Sequence, residues 1–149
     1  MKIEGSHKIS APRERVFEAL NDPAVLQKCI PGCESLEKTS DNQYSAKLTA
    51  GVGAIKSKFT ATVTISDLVV PSHYKLTVEG KGQPGFVKGS GDLNLEDSGG
   101  ATEIKYTGEV QAGGMIASVG QRMIQSTATM LAGKFFACLE SETQAQIPQ

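Results

Sequence analysis

Tryptophan is absent from this chain of 149 residues, aromatic residues of all kinds make up 5% of it, and histidine occurs twice. Little aromatic bulk is available to fill an interior, and a histidine-rich metal or acid/base centre is excluded by number. Charge of one sign is also lacking. The 15 basic and 16 acidic residues are interspersed and leave a net charge of -1, so there is no basic stripe of the kind that releases counterions from nucleic acid, and nucleic acid is not expected as a partner. No run of about 18 apolar residues offers a membrane-spanning helix. The opening MKIEGSHKIS alternates polar and apolar residues and lacks the apolar core of a signal peptide. A cytoplasmic protein is expected, and its three cysteines are read as reduced thiols, not as a disulfide framework. The length suits one domain over residues 1–149, able to bury a core without metal or disulfide staples.

What is present begins with the stretch CIPGC, Cys29 to Cys33. A redox-active thiol is made acidic by a helix N-terminus or a cation, whereas Cys29 falls at the C-terminal end of a predicted helix, where the dipole disfavours thiolate. A structural zinc needs four ligands in short paired spacings, and only His7, His73 and Cys138 remain to supply them. No metal site is expected, and the stretch is read as a turn packed around Pro31 and Gly32.

The remaining periodicities define an α+β layout. Residues 2–10 place Ile3, Gly5, His7 and Ile9 on one face of a strand. Pro12 and Pro23 open two short helices, the first burying Val16, Phe17 and Leu20. Period-two alternation then recurs in NQYSAKLTA, IKSKFTATVTI, YKLTVEG, GFVKGSGDLNLE and TEIKYTGEVQA, with a further strand at ESLEKT and short connections that indicate an antiparallel meander. From Gly114 to about Thr143 the period changes to that of one long amphipathic helix, roughly 40 Å at about 1.5 Å per residue. Its apolar face is the only large one available to cover the sheet.

The inward positions of that sheet are undersized: Gly5, Ala46, Ala61, Gly89, Gly91 and Gly108 share register with the apolar set. A helix laid over them leaves a void, and interiors do not keep large voids without a reason. Either the space is a ligand cavity, or the glycines serve strong sheet curvature; the two readings are compatible. Inward positions place Ile116, Gly120, Met123, Thr127 and Met130 along the helix wall, with Phe59, Tyr74, Phe86 and Tyr106 opposite. The GVGAI tip could set Val52 and Ile55 as a lip over the mouth or simply close a hairpin. Phe136, with Thr129, Ala132 and Gly133, is expected opposite the buried stripe, as a partner surface or a lone contact. His7, pointing inward, is the one weak catalytic candidate, and no motif for nucleophilic catalysis or phosphate binding is present.

Three stretches, APRERVFEALNDPAVLQKCIPGCESLEK, GKGQPGFVKGSGDLNL and YTGEVQAGGMIASVGQRMIQSTATMLAGKFFACL, together resemble in order and spacing the carbon monoxide dehydrogenase CoxG family, within the START-like (SRPBCC) superfamily. The resemblance implies a helix-grip fold, in which a curved antiparallel sheet of six to seven strands grips a long C-terminal helix around a hydrophobic cavity. It implies a non-catalytic protein without a cofactor. Such a protein serves a molybdenum hydroxylase of the carbon monoxide dehydrogenase type by handling a lipophilic molecule such as a quinone or isoprenoid lipid, or by recruiting the enzyme to the membrane. The chain ends at ETQAQIPQ where some members continue into a hydrophobic anchor, so transient contact with the inner face of the membrane is expected instead of permanent attachment. The resemblance also makes the PGC turn a structural feature and Cys29 incidental to it.

Overall fold

The alternating segments fold as strands and the helical ones as helices, in the expected order. The computed structural model describes residues 1–146; the last three residues of ETQAQIPQ, on which the expectation of an unanchored end partly rests, lie outside the described residues. Strand β1 (Lys2–Ile9) leads into helices α1 (Arg13–Leu20) and α2 (Pro23–Cys29). Strands β2 (Cys33–Ser40), β3 (Gln43–Val52), β4 (Ile55–Val69), β5 (His73–Gly82), β6 (Gly85–Ser98) and β7 (Ala101–Gly114) follow, then a 3-10 turn at Met115–Val119 and helix α3 (Gln121–Gln146). All neighbouring strands pair antiparallel in one sheet of order β1-β7-β6-β5-β4-β3-β2. Consecutive hairpins build β2 to β7, and β1 closes the far edge beside β7.

Local chemistry fixes the corners. The Asp22 carboxylate accepts the Ala24 N–H at 2.9 Å with Pro23 in the first turn of α2, which satisfies a donor that has no partner inside the helix. The buried Thr102 hydroxyl donates to the Ala11 carbonyl at 2.7 Å and holds the turn between β1 and α1. Gly32 sits at φ +74°, where a Cβ would collide with the Thr49 carbonyl oxygen, and the Thr49 N–H donates to the Gly32 carbonyl at 3.0 Å. Glycine is therefore required at the PGC turn.

Helix α3 is fastened along β1. The Gln125 amide donates to the Lys2 carbonyl near one end, and at the other the Gln144 amide donates to the Ser10 carbonyl while Glu140 accepts the Ser10 N–H. Lys28 pairs with Glu142 at 2.5 Å, and a disulfide joins Cys29 on α2 to Cys138 on α3 with their Cα atoms 5.3 Å apart. That bond corrects two expectations: the cysteines are not all free thiols, and Cys29 is not incidental. The partners lie 109 residues apart on different helices, so only the fold brings them together.

The single long helix is also corrected. The chain leaves β7 through Gly114 at φ +70°, makes the 3-10 turn, and turns again at Gly120, φ +92°, before α3 begins. Gly120 is the joint between two helical pieces and not an interior residue of one.

Candidate functional site

Paired residues form rows across the concave face of the sheet. One runs Ala46, Ala61, Gly80, Val87; the next Val63, Val78, Gly89, Val110; a third Leu76, Gly91, Gly108, Ile3. Val78 lies in the middle of the central strand β5 on this face, yet it is 37% exposed. Helix α3 therefore does not lie down on the sheet centre. Between them is a cavity of about 480 Å³.

The glycines serve both purposes considered above. At Gly91 and Gly108 an added Cβ would fall 2.8 Å from a carbonyl oxygen of the paired strand, so glycine there permits strong curvature. At Gly80 the nearest atom would be 3.9 Å away and at Gly89 3.5 Å, so glycine there contributes open volume. Elsewhere aromatic rings lie over cross-strand glycines: Tyr106 over Gly5, Phe59 over Gly82 and Phe86 over Gly113.

The wall is almost wholly carbon. Leu20 and Leu26 from α1 and α2, and Ile124, Leu131 and Phe135 from α3, complete it. Ile30, Pro31, Leu36, Leu48 and Val52 line the side away from β1 and are only half-buried, so they form its outer rim. The inward hydroxyls are those of Thr127, Tyr44, Tyr74 and Tyr106; Ser90, Thr107 and Glu109 alternate with inward glycines on β6 and β7 and meet the cavity beside them. Burial pushes the Tyr74 phenol far above its usual range, with Tyr44 nearby adding to the shift. Burial also raises Tyr44, reinforced by the Asp22 carboxylate.

Of the residues expected at the site, Phe59, Tyr74, Tyr106, Ile116 and Thr127 line the cavity, and so does Val52 of the tip. Ile55 does not, although the tip itself is close to α3: a Cβ on Gly53 would sit 3.5 Å from Met123 Cγ. Phe86 does not line it either. Val87 points inward, so its neighbour Phe86 faces the convex side, under the Lys88 ammonium at 5.7 Å from the ring centroid. Gly120 meets open space, and Met123 and Met130 face outward, 44% and 49% exposed. Extending one helical phase from Ile116 across Gly120 turns the face by about half a revolution.

Phe136 corrects the expectation of an outer knob. It is 4% exposed, lines the cavity, and stacks on Tyr106 at 5.4 Å and on His7 at 5.9 Å. Thr129 and Gly133 do lie on the outer face. Counting the period backward from Leu139 recovers Phe136, Phe135, Ala132, Ala128 and Ile124, the wall that counting forward from Ile116 misses. Alternation along β3 makes Tyr44 inward but gives no sign that it belongs to the site. Among the described residues no group of three His, Cys, Asp or Glu side chains could hold a metal. Cys33 is a free thiol that burial pushes above its usual pKa, and its Sγ lies 3.4 Å from the Ser35 carbonyl.

A curved antiparallel sheet gripping a C-terminal helix across an apolar cavity defines a START-like ligand-binding architecture. Residues 5–144 match the carbon monoxide dehydrogenase CoxG family, and the chain belongs to that family. Among solved structures it is similar to a conserved protein from Geobacillus kaustophilus, at 37% identity and a TM-score of 0.93 over 97% of this chain and 96% of that one. It shares its fold with a START superfamily protein from Mycobacterium smegmatis, at 10% identity and a TM-score of 0.75 over 98% and 99% of the two chains. The Zhui aromatase/cyclase from Streptomyces sp. R1128 has the same fold at 14% identity and a TM-score of 0.71, over 99% and 96%. No curated protein matches the sequence.

Proposed function

We propose that this protein is a non-catalytic carrier of a hydrophobic small molecule, a quinone or isoprenoid lipid, accessory to a molybdenum hydroxylase of the carbon monoxide dehydrogenase type. One observation carries the reading: the cavity of about 480 Å³ over an uncovered, apolar sheet centre. That volume is in the range of small-molecule sites, and its walls reward transfer of apolar surface from water at about 25 cal/mol per Å². Catalysis is not supported by the lining: the Tyr44 and Tyr74 hydroxyls are held protonated, and no nucleophile and base lie paired there. Family membership supports the accessory role and the choice of enzyme. No described helix is long and apolar enough to cross a membrane, so the carrier would visit the inner face of the membrane to load and unload. The alternative of a docking factor without a ligand loses its anchor, because Phe136 is inside.

The test is to incubate the purified protein with vesicles containing an isoprenoid quinone, separate the two, and assay the protein for extracted quinone. Near-stoichiometric uptake is expected. No uptake of quinone or vesicle lipid would leave the carrier reading without support.

A further inference from the structure

The cavity has one polar group that the protein itself does not satisfy. Tyr74 is 2% exposed and lines the cavity, and its ring is fixed edge-on by Phe17 at 5.7 Å between centroids. Among the described residues its hydroxyl has no hydrogen-bond partner, yet it is not among sealed, unsatisfied atoms, of which there are none. The space it opens onto is the cavity. The other two phenols differ: the Tyr44 hydroxyl donates to the Asn21 carbonyl at 3.4 Å, and the half-buried Tyr106 lies over Gly5.

We propose that the Tyr74 hydroxyl is the polar anchor of the cavity, donating a hydrogen bond to a carbonyl or ether oxygen of an otherwise apolar ligand. This rests on the carrier reading and adds its chemistry. A buried phenol ordinarily finds a partner, and leaving it without one costs free energy. Its neighbours raise the energy of the phenolate, so the group remains a donor. The lining contains no lysine, arginine or histidine, so a carboxylate brought to this depth would be an unpaired buried charge. The ligand class is thus a neutral lipid with an oxygen acceptor on its leading end, and fatty-acid anions are rejected.

The experiment uses two probes of one shape, 2-decyl-1,4-naphthoquinone and 2-decylnaphthalene, titrated calorimetrically into the wild-type protein and Tyr74→Phe, with decanoate as a third. Tyr74→Phe should weaken the quinone roughly fivefold to tenfold, as loss of one hydrogen bond does. It should leave decylnaphthalene within about twofold, since that probe offers the phenol no acceptor. Decanoate should not bind measurably. Equal effects on both probes, no effect on either, or tight decanoate binding would overturn the assignment while the carrier reading stands. Failure of both neutral probes to bind wild-type protein would overturn both. Infrared spectra of quinone labelled with carbon-13 at its carbonyls, bound to wild-type protein, decide the point if the variant does not fold: a lowered carbonyl band is expected, and an unshifted one refutes the anchor.

Discussion

Tyr106 lies across Gly5, its direct partner on the neighbouring strand, so closely that a Cβ on Gly5 would sit 2.5 Å from the phenol oxygen and 2.7 Å from the ring carbon that bears it. The pair closes the β1 edge of the cavity, and Phe136 stacks on the same ring from α3. Gly5→Ala should therefore displace Tyr106 and cost about 1–3 kcal/mol, as overpacking does. Denaturant titration of Gly5→Ala, Tyr106→Leu and the double variant measures the coupling. The double variant should recover most of the loss; simple additivity would refute the contact.

Phe136 makes the sharpest distinction between an inner and an outer reading of α3. Truncation to Ala should cost about 3–5 kcal/mol, the range for large aromatics in a core, seen as a lowered Tm. An outer-face knob would lose almost nothing. Thr129→Ala, on the exposed side, serves as the control and should stay within about 0.5 kcal/mol.

The Cys29–Cys138 bond ties α2 to α3 beside the cavity rim. Cys138→Ser should lower stability by roughly 2–4 kcal/mol, a value typical of disulfides that close long loops. Thiol counting after rapid alkylation in denaturant should find one free thiol in the oxidised protein and three after reduction. The same count on protein alkylated inside cells tests the proposed placement at the inner face of the membrane, because a reducing compartment would leave all three free.

Tyrosine ionisation gives a pH signature. The folded-state pKa values of Tyr74 and Tyr44 lie above the ordinary value of 10.0. Their contribution to stability is complete below pH 10 and is lost as pH rises, because the unfolded chain releases these protons first. Stability should fall from pH 10 upward by up to about 1.4 kcal/mol per pH unit for each group. Tyr74→Phe should fall less steeply. Absorbance titration at the phenolate band should show Tyr74 ionising only with unfolding; its titration in the folded protein near 10 would contradict the burial.

Strand register was legible because period two leaves little choice. Tyr44, Ala46, Phe59, Ala61 and Leu93 point where alternation puts them, and the undersized inward set marked the cavity. Phe86 was misplaced by one residue, which in a strand is the whole difference between faces. The helix wall was misread because two glycines at positive φ reset the helical phase, and nothing local in GGMIASVGQRM distinguishes a 3-10 turn plus a joint from a continuous helix. The disulfide was illegible for a different reason, since its geometry exists only after α2 and α3 have packed.

The central claim is that space over the sheet centre holds a ligand, and Gly80→Leu tests it most directly. Gly80 lines the cavity, has ordinary backbone geometry and leaves a new side chain 3.9 Å from the nearest atom, so leucine should fill the void without unfolding the chain. Native mass spectrometry of the wild-type protein after exposure to isoprenoid quinone should show one bound molecule per chain, and Gly80→Leu, at an unchanged or higher Tm, should show none. Equal ligand occupancy in both proteins, or an empty wild-type chain, would contradict the account.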